Sequence, residues 1–489
     1  MNQFKSALDR LFQPAADQRL VSWLFLRLLA LIYLAAFASL WVQITGLVGE
    51  TGILPLGEHL SLAAEHYGEG AWVWFPTVFW ITGAGDPALL GVCLLGTLLS
   101  LLLLIGRWQR LNLILLFLLY LSLYHAGQIF TNFQWDTLLL EAGFLAIFLV
   151  GGGNLLLIFL FDWLLFRLRF MSGVFKLVSG DPSWSGLTAL NHYFETQPLP
   201  HIGAWYAHQL PELLLKTGVV LTLVSELLVP FLIFFPRRFR YTAAAVTLLM
   251  QLLIIATSNH NFINLLTIIL CLFLLHDSLL IRIIPDSLLQ RIETPEGSPG
   301  RLRTALIVIA FLLILPASLI SFSNYLVRPS LVPQTLQGFS QSVQRWGIGH
   351  IFHIFPTMQT QRQELVIQGS NDGKTWRTYE FSYKPGDPSQ APAVIIPHQP
   401  RLDWMVWFVP TQQALQMEWF GRFLQGLHQG SESVSALLHH NPFPDAPPRY
   451  LRVDSFAYRF TTPQEREQSG HWWKTGYLGS FPQVAPRRP

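Results

Sequence analysis

The sequence predicts an α-helical polytopic membrane domain of about nine spans, followed by a β-rich extracytoplasmic domain with a helical insertion. Three observations carry this. Hydrophobic residues make up 51% of the 489 and charged residues 12%, against about 25% charged in an ordinary soluble domain. Apolar runs near the length of roughly 20 residues that a spanning helix needs recur along the first part of the chain. From about Ser330 these runs give way to short alternating segments, so the boundary separates 1–329 from 330–489.

The apolar runs lie near 21–44, 88–106, 110–127, 137–151, 154–170, 212–235, 241–258, 262–281 and 304–326. The first follows Lys5, Arg10 and Arg19 as a signal peptide would. It is too long for the apolar core of one, and reads as a retained first span. The fourth and fifth meet at Gly151-Gly-Gly-Asn154, a tight turn between antiparallel helices. Between the first and second, Trp72, Trp74, Phe75 and Trp80 surround Pro76. That segment is too broken to span and suits the membrane interface.

Loop charge sets orientation. The stretch 44–85 holds Glu50, Glu58, Glu65 and Glu69 and no Lys or Arg. Arg107 and Arg110, then Arg237, Arg238 and Arg240, then Arg282, Arg291, Arg301 and Arg303 fill alternate loops. The positive-inside rule puts the N-terminus in the cytoplasm and, with nine spans, the C-terminal domain outside. Arg167, Arg169 and Lys176 then fall on the outer side, which implies a miscounted span or a local role for these cations.

In the C-terminal part, 364–383 alternates around Asn371-Asp-Gly373, a hairpin signal because Asp-Gly accepts the positive φ of the turn. Leu451 to Phe460 is a second alternating strand, and about 415–440 has helical spacing.

The net charge of +3, without a basic stripe, argues against nucleic acid as a partner. Cys93 and Cys271 lie inside apolar runs, so no disulfide framework or thiolate metal site is available. His192 and Glu195 stand at i, i+3 without a third ligand of suitable spacing. No metal or cofactor is expected.

Ionisable residues at membrane depth are costly and mark candidate sites. Asp136, Glu141, Lys176, Asp181, Glu195 and Glu226 form such a polar set. Asp136 opens a helix and is expected to cap it. Glu141 is expected to pair with Arg27 or Lys176, or to be neutral. Lys176 is expected to pair with Glu141 or Asp136. Pro397-His-Gln-Pro-Arg-Leu-Asp-Trp404 and Asn441-Pro-Phe-Pro444 are rigid loops, since proline fixes φ and removes a donor. They are expected to lie side by side, joined by an Asp403–Arg449 salt bridge, as a client surface or as the seam against the membrane half.

Several runs resemble the lipase maturation factor family: Phe133-Gln-Trp-Asp136 with Leu138-Leu-Leu-Glu141, Ser172 through Pro182, Tyr193 through Pro200, Trp205 through Pro211, and Glu226-Leu-Leu-Val-Pro230. Tyr383-Lys-Pro-Gly-Asp387, Pro397 through Trp404, Asn441 through Pro444 and Pro448-Arg-Tyr450 continue the likeness, in order, over nearly the whole chain. The resemblance implies a membrane protein, in the endoplasmic reticulum of eukaryotic members or the inner membrane of bacteria, that helps secreted lipases fold and assemble. Its partners would be the bilayer and a secreted client, a lipase in the animal members. His398, Arg401, Asp403, Trp404, Asn441, Phe443 and Arg449 are then the client-binding candidates, with Trp407, Phe408, Trp419 and Phe420 as further aromatics.

The membrane half of that family is similar to the membrane domain of vitamin K-dependent γ-carboxylase, which implies an alternative. In a membrane-embedded enzyme, Lys176 would be a desolvated base or charge stabiliser and His192 or His208 a proton carrier. A cavity joining Lys176 to Asp136 and Glu141 would favour the enzyme; a solidly packed membrane half would favour the folding factor.

Overall fold

The computed structural model describes residues 11–282, 284–289, 292, 300–326 and 332–482. Lys5, Arg10, Arg291 and the boundary at Ser330 lie outside the described residues.

The membrane half is built from α1 (Arg19–Trp41), α2 (Asp86–Leu104), α3 (Gln109–Ala126), α4 (Gln134–Leu149), α5 (Leu155–Val178), α6 (Glu212–Leu227), α7 (Arg237–Thr257), α8 (Ile263–Leu270) and α9 (Arg301–Leu326). Among the described residues, five segments are both long and apolar enough to cross a membrane: Ala16–Trp41, Asp86–Leu104, Glu212–Phe234, Arg237–Thr257 and Arg301–Leu326. The count of about nine is not reached on length and composition. The helix Ile263–Leu274 is too short, α4 has 16 residues, and α5 carries Asp162, Arg167, Arg169 and Lys176. The α6 and α7 faces leave Leu221, Leu249 and Leu253 at least 60% exposed, as a lipid-facing surface does.

Local chemistry explains the joints. Gly151 and Gly152, at φ +82° and +91°, turn the chain between α4 and α5 where a side chain would be strained. Asn154 then caps α5, its Oδ1 accepting from Leu157 N at 2.9 Å. Asp136 does not cap α4: the N-cap position is Phe133, with no side-chain cap bond. At the basic end of the bundle, Arg110 and Arg303 both donate to the Val150 carbonyl at 2.8 Å. Asp277 accepts there from the backbone N–H groups of Arg19, Leu20 and Val21.

The sheet of the C-terminal part is small. It comprises β1 (Arg362–Ser370), β2 (Arg377–Thr378), β3 (Tyr450–Phe460) and β4 (Trp473–Ser480), all antiparallel in the order β2-β1-β3-β4. Asp372 holds the β1–β2 turn by accepting from Lys374 N and Thr375 N at 2.8 and 2.7 Å, with Gly373 at φ +70°. These bonds hold the Asp372 carboxyl well below its ordinary pKa. The helical insertion is α10 (Arg401–Val406) followed by α11 (Gln413–Gln429).

Candidate functional site

The C-terminal part is seated on the membrane helices through buried polar bonds. The Pro397–Trp404 segment reaches α1, where Ser39 Oγ lies 2.9 Å from His398 Nδ1 and accepts from Gln399 N at 3.0 Å. Gln43 Oε1 accepts from Arg401 N at 2.8 Å. The Arg401 guanidinium then donates twice to Asp136, at 2.7 Å each, and to the Phe130 carbonyl at 3.0 Å. Tyr120 of α3 donates to the same carboxylate at 2.6 Å. Arg401 and Asp136 are each 1% exposed. The fork of an arginine matches two carboxylate oxygens, so this one pair fixes distance and orientation between the halves.

A second clamp was not anticipated from the sequence. Arg362, fully buried on β1, donates to Glu364 at 2.7 Å and to the carbonyls of Glu195, Gln197 and Pro198. Lys384 Nζ also stands 2.8 Å from Glu364, so that carboxylate is shared by two cations. An Arg-x-Glu pattern on one strand face was its only sequence signal.

The membrane-depth cations pair differently from expectation. Glu141 takes Arg167, one α4-to-α5 crossing away, and accepts from Gly349 N at 2.8 Å. Arg27 instead donates to the Leu103 carbonyl. Lys176 meets neither Glu141 nor Asp136. Its partner is Glu226 on α6 at 2.7 Å, with the Ile354 carbonyl at 2.8 Å and Arg169 3.5 Å from the same carboxylate. Lys176 and Glu141 stand at different depths on helices whose facing residues the sequence does not reveal. Arg167 and Lys176 thus have a local role as partners of buried acids.

The groups named for an enzyme do not converge. Lys176 lines a cavity of about 100 Å³ with Glu226 and Arg169, without Asp136, Glu141, His192 or His208. His208 Nε2 lies 3.8 Å from Glu195, whose other contact is Phe460 N at 2.6 Å. Glu195 and His208 thus sit against the end of β3. Asp181 accepts from Ser183 N at 2.7 Å and Met358 N at 2.6 Å, a capping role. Among the described residues there is no group of three or more His, Cys, Asp or Glu placed to hold a metal.

The Asp403–Arg449 bridge does not form. Asp403 and Arg401 lie on a helix, not an extended strand, so their side chains diverge. Asp403, 2% exposed, accepts from Tyr383 N and Lys384 N at 2.7 and 3.0 Å. Arg449 is exposed, and its backbone N–H donates to Asn371 Oδ1 at 3.1 Å. The Asn441–Pro444 loop closes onto the sheet: Asn441 Oδ1 accepts from Phe443 N at 2.9 Å, and the Phe443 ring stands 5.9 Å from Tyr379. Phe443 fills the space a side chain at Gly369 would need. Trp404, Trp419 and Phe420 are core, at 4%, 2% and 0% exposure.

Burial raises the Asp403 carboxyl from 3.8 to about 6. The native state therefore holds its proton more tightly than the unfolded chain does. This contribution to stability is fully present below pH 4 and lost as pH rises through 6, on the order of 3 kcal/mol between the limits. Thermal unfolding of purified protein from pH 4 to 7 should show the decline. Asp403→Asn, which keeps the Oδ1 acceptor and removes the charge, should flatten it.

Beside Trp404 a cleft of about 700 Å³ opens between the halves. Phe133, Trp135, Trp404, Trp407, Phe408 and Phe355 supply its aromatic walls. Trp407 and Phe408 are half-buried, and Trp407 Nε1 donates to the Thr196 carbonyl at 2.8 Å. The indole Nε1 atoms of Trp135 and Trp404 have no acceptor among the described residues.

The family model for the lipase maturation factor transmembrane domain matches residues 20–282, and that for the lipase maturation factor C-terminal domain matches residues 349–482. The chain is 35% identical to lipase maturation factor 2 of Xenopus laevis, over 95% of this chain and 82% of that protein. It is 33% identical to the human lipase maturation factor 2, with the same coverage. It is 31% identical to the mouse lipase maturation factor 1, over 97% of this chain and 89% of that protein. No solved structure matches. With both halves matched in order and relatives above 30% identity along nearly its whole length, this integral membrane protein belongs to the lipase maturation factor family.

Proposed function

We propose that the chain is a membrane-bound maturation factor that holds a partly folded secreted client, a lipase, in the aromatic cleft between its two halves. Membership of the family carries the reading. The cleft supports it, because its half-buried aromatic side chains suit an extended peptide with apolar side chains. Client contact falls to Trp407 and Phe408.

The test is co-expression with a secreted lipase in cells lacking a factor of their own, reading secreted activity per unit of lipase protein. Trp407→Ala and Phe408→Ala should lower it about fivefold or more with the factor's abundance unchanged. Full activity in both variants, or abundance falling in step, overturns the cleft as client site.

The finer topology is part of the same proposal. The membrane domain spans 1–329, the outer domain 330–489, and α3, α4, α5 and the Ile263–Leu274 helix cross along with the five long segments. The N-terminus is cytoplasmic and the outer domain faces the lumen of the endoplasmic reticulum, or the periplasm if the source is bacterial. Support comes from the gathering of Arg110, Arg303, Arg240 and the first turn of α1 at the end of the bundle away from the sheet. A reporter active only in the cytoplasm, fused after Pro489, should be silent; an active fusion reverses the orientation.

A further inference from the structure

The polar cluster between α5, α6, α7 and α8 is out of charge balance. Arg169 and Lys176 share one carboxylate, that of Glu226. The other buried acids of this half are engaged elsewhere: Asp136 by Arg401, Glu141 by Arg167, Asp162 by Arg240. The cluster therefore carries one uncompensated positive charge in a low-dielectric setting, where an unpaired ion costs several kcal/mol.

The surplus belongs to Arg169. The Lys176 ammonium is saturated by Glu226, the Ile354 carbonyl and the Ser172 carbonyl at 3.4 Å. Arg169, 5% exposed, has only Ser225 Oγ at 3.0 Å, the Met250 sulfur, and Glu226 at 3.5 Å. Among the described residues its Nε has no partner, and Asn264 Oδ1 also lacks one, while the Asn264 Nδ2 is spent on Gln251. Arg169 and Asn264 line the same cavity of about 100 Å³, large enough for one oxo-anion. An under-used guanidinium beside an empty acceptor suits a group that brings negative charge and one hydroxyl hydrogen.

The surroundings indicate where that group comes from. The remaining cavity wall includes Leu168, Leu190, Ile254 and Ile263. The adjoining faces of α6 and α7 leave Leu221 and Leu253 open, at 62% and 60% exposure, as a lipid-facing surface does. We infer that Arg169 and Asn264 bind the singly protonated phosphate head group of an acidic membrane lipid, whose chains lie along α6 and α7. The cavity adjoins the client cleft, sharing His260, Ile263, Ile354 and Phe355 with it, but its assignment rests on the charge balance and does not depend on the client reading.

The test uses the full chain in nanodiscs of phosphatidylcholine, with dioleoyl phosphatidic acid titrated in and the unfolding temperature read. Phosphatidic acid should raise it in a saturable way, and additional phosphatidylcholine, which carries no net charge, should not. Arg169→Met removes the surplus charge and leaves Lys176 and Glu226 as a balanced pair, so it should fold. It should weaken the phosphatidic acid response about tenfold or more. Asn264→Leu, which keeps every charge, provides a second reading and should weaken it severalfold. An unaltered phosphatidic acid response in both variants overturns the site. An equal response to inorganic phosphate alone assigns the anion to solution and overturns the lipid source.

Discussion

Replacing Arg401 with alanine should lower client activity and protein abundance together. The substitution strands the Asp136 carboxylate, 1% exposed, without its cation, although the Tyr120 hydroxyl still donates to it. Breaking a buried pair from one side costs about 3–5 kcal/mol, a large part of the 5–15 kcal/mol, roughly, that holds a typical domain folded. The sequence alone left this loop as a client surface or as the seam against the membrane half, and the burial of Arg401 against Asp136 supports the seam. The informative comparison is Asp136→Leu with Arg401→Met. If the pair acts as argued, the double variant should be more stable than either single one, because no charge is left alone. Thermal unfolding in detergent, beside immunoblot abundance, checks both parts. Normal abundance of Arg401→Ala would mean the pair does not join the halves.

Arg167→Met should be as damaging, and Lys176→Met much milder. Arg167 and Glu141 are both fully buried, and no second cation takes Glu141 when Arg167 goes. Arg167 also donates to the His350 carbonyl at 2.7 Å, so the chain entering the C-terminal part loosens as well. Lys176 differs because Arg169 already stands 3.5 Å from Glu226 and can neutralise it. We expect a loss of about 3–5 kcal/mol for Arg167→Met and no more than about 1–2 kcal/mol for Lys176→Met. Equal losses in the two would show that the arginine shared between partners offers no compensation.

What the sequence conveyed follows from the range of each signal. Long apolar helices such as α1, α2 and α9 are legible because twenty adjacent residues report one environment. The turn at Asn371–Gly373 is legible because two residues fix it locally. The end of α5 was placed at about 170, whereas the helix runs on to Val178. Arg167, Arg169 and Lys176 read as a break there because their neutralising acids lie on other helices. The partners of Asp136, Glu141 and Lys176 were misjudged for the same reason. Asp136 finds its cation 265 positions away, and hydropathy carries no information at that distance. The strand β4 was missed because its Trp473–Ser480 segment is mostly exposed and lacks alternation.

The bond between Asp136 and Arg401 also has a consequence in time. With α4 crossing as proposed above, it enters the bilayer during synthesis, yet the guanidinium that completes it is 265 residues behind. At about 5–20 residues per second, Asp136 waits roughly 13–50 seconds as a lone carboxylate at the end of a helix. Over that interval the N-terminal end of α4 is held open to water or kept protonated, and the bundle closes only after the ribosome has made the segment that locks it. A ribosome stalled before codon 401 therefore leaves a membrane bundle with an unfilled acidic socket, a mark by which an unfinished chain differs chemically from a finished one.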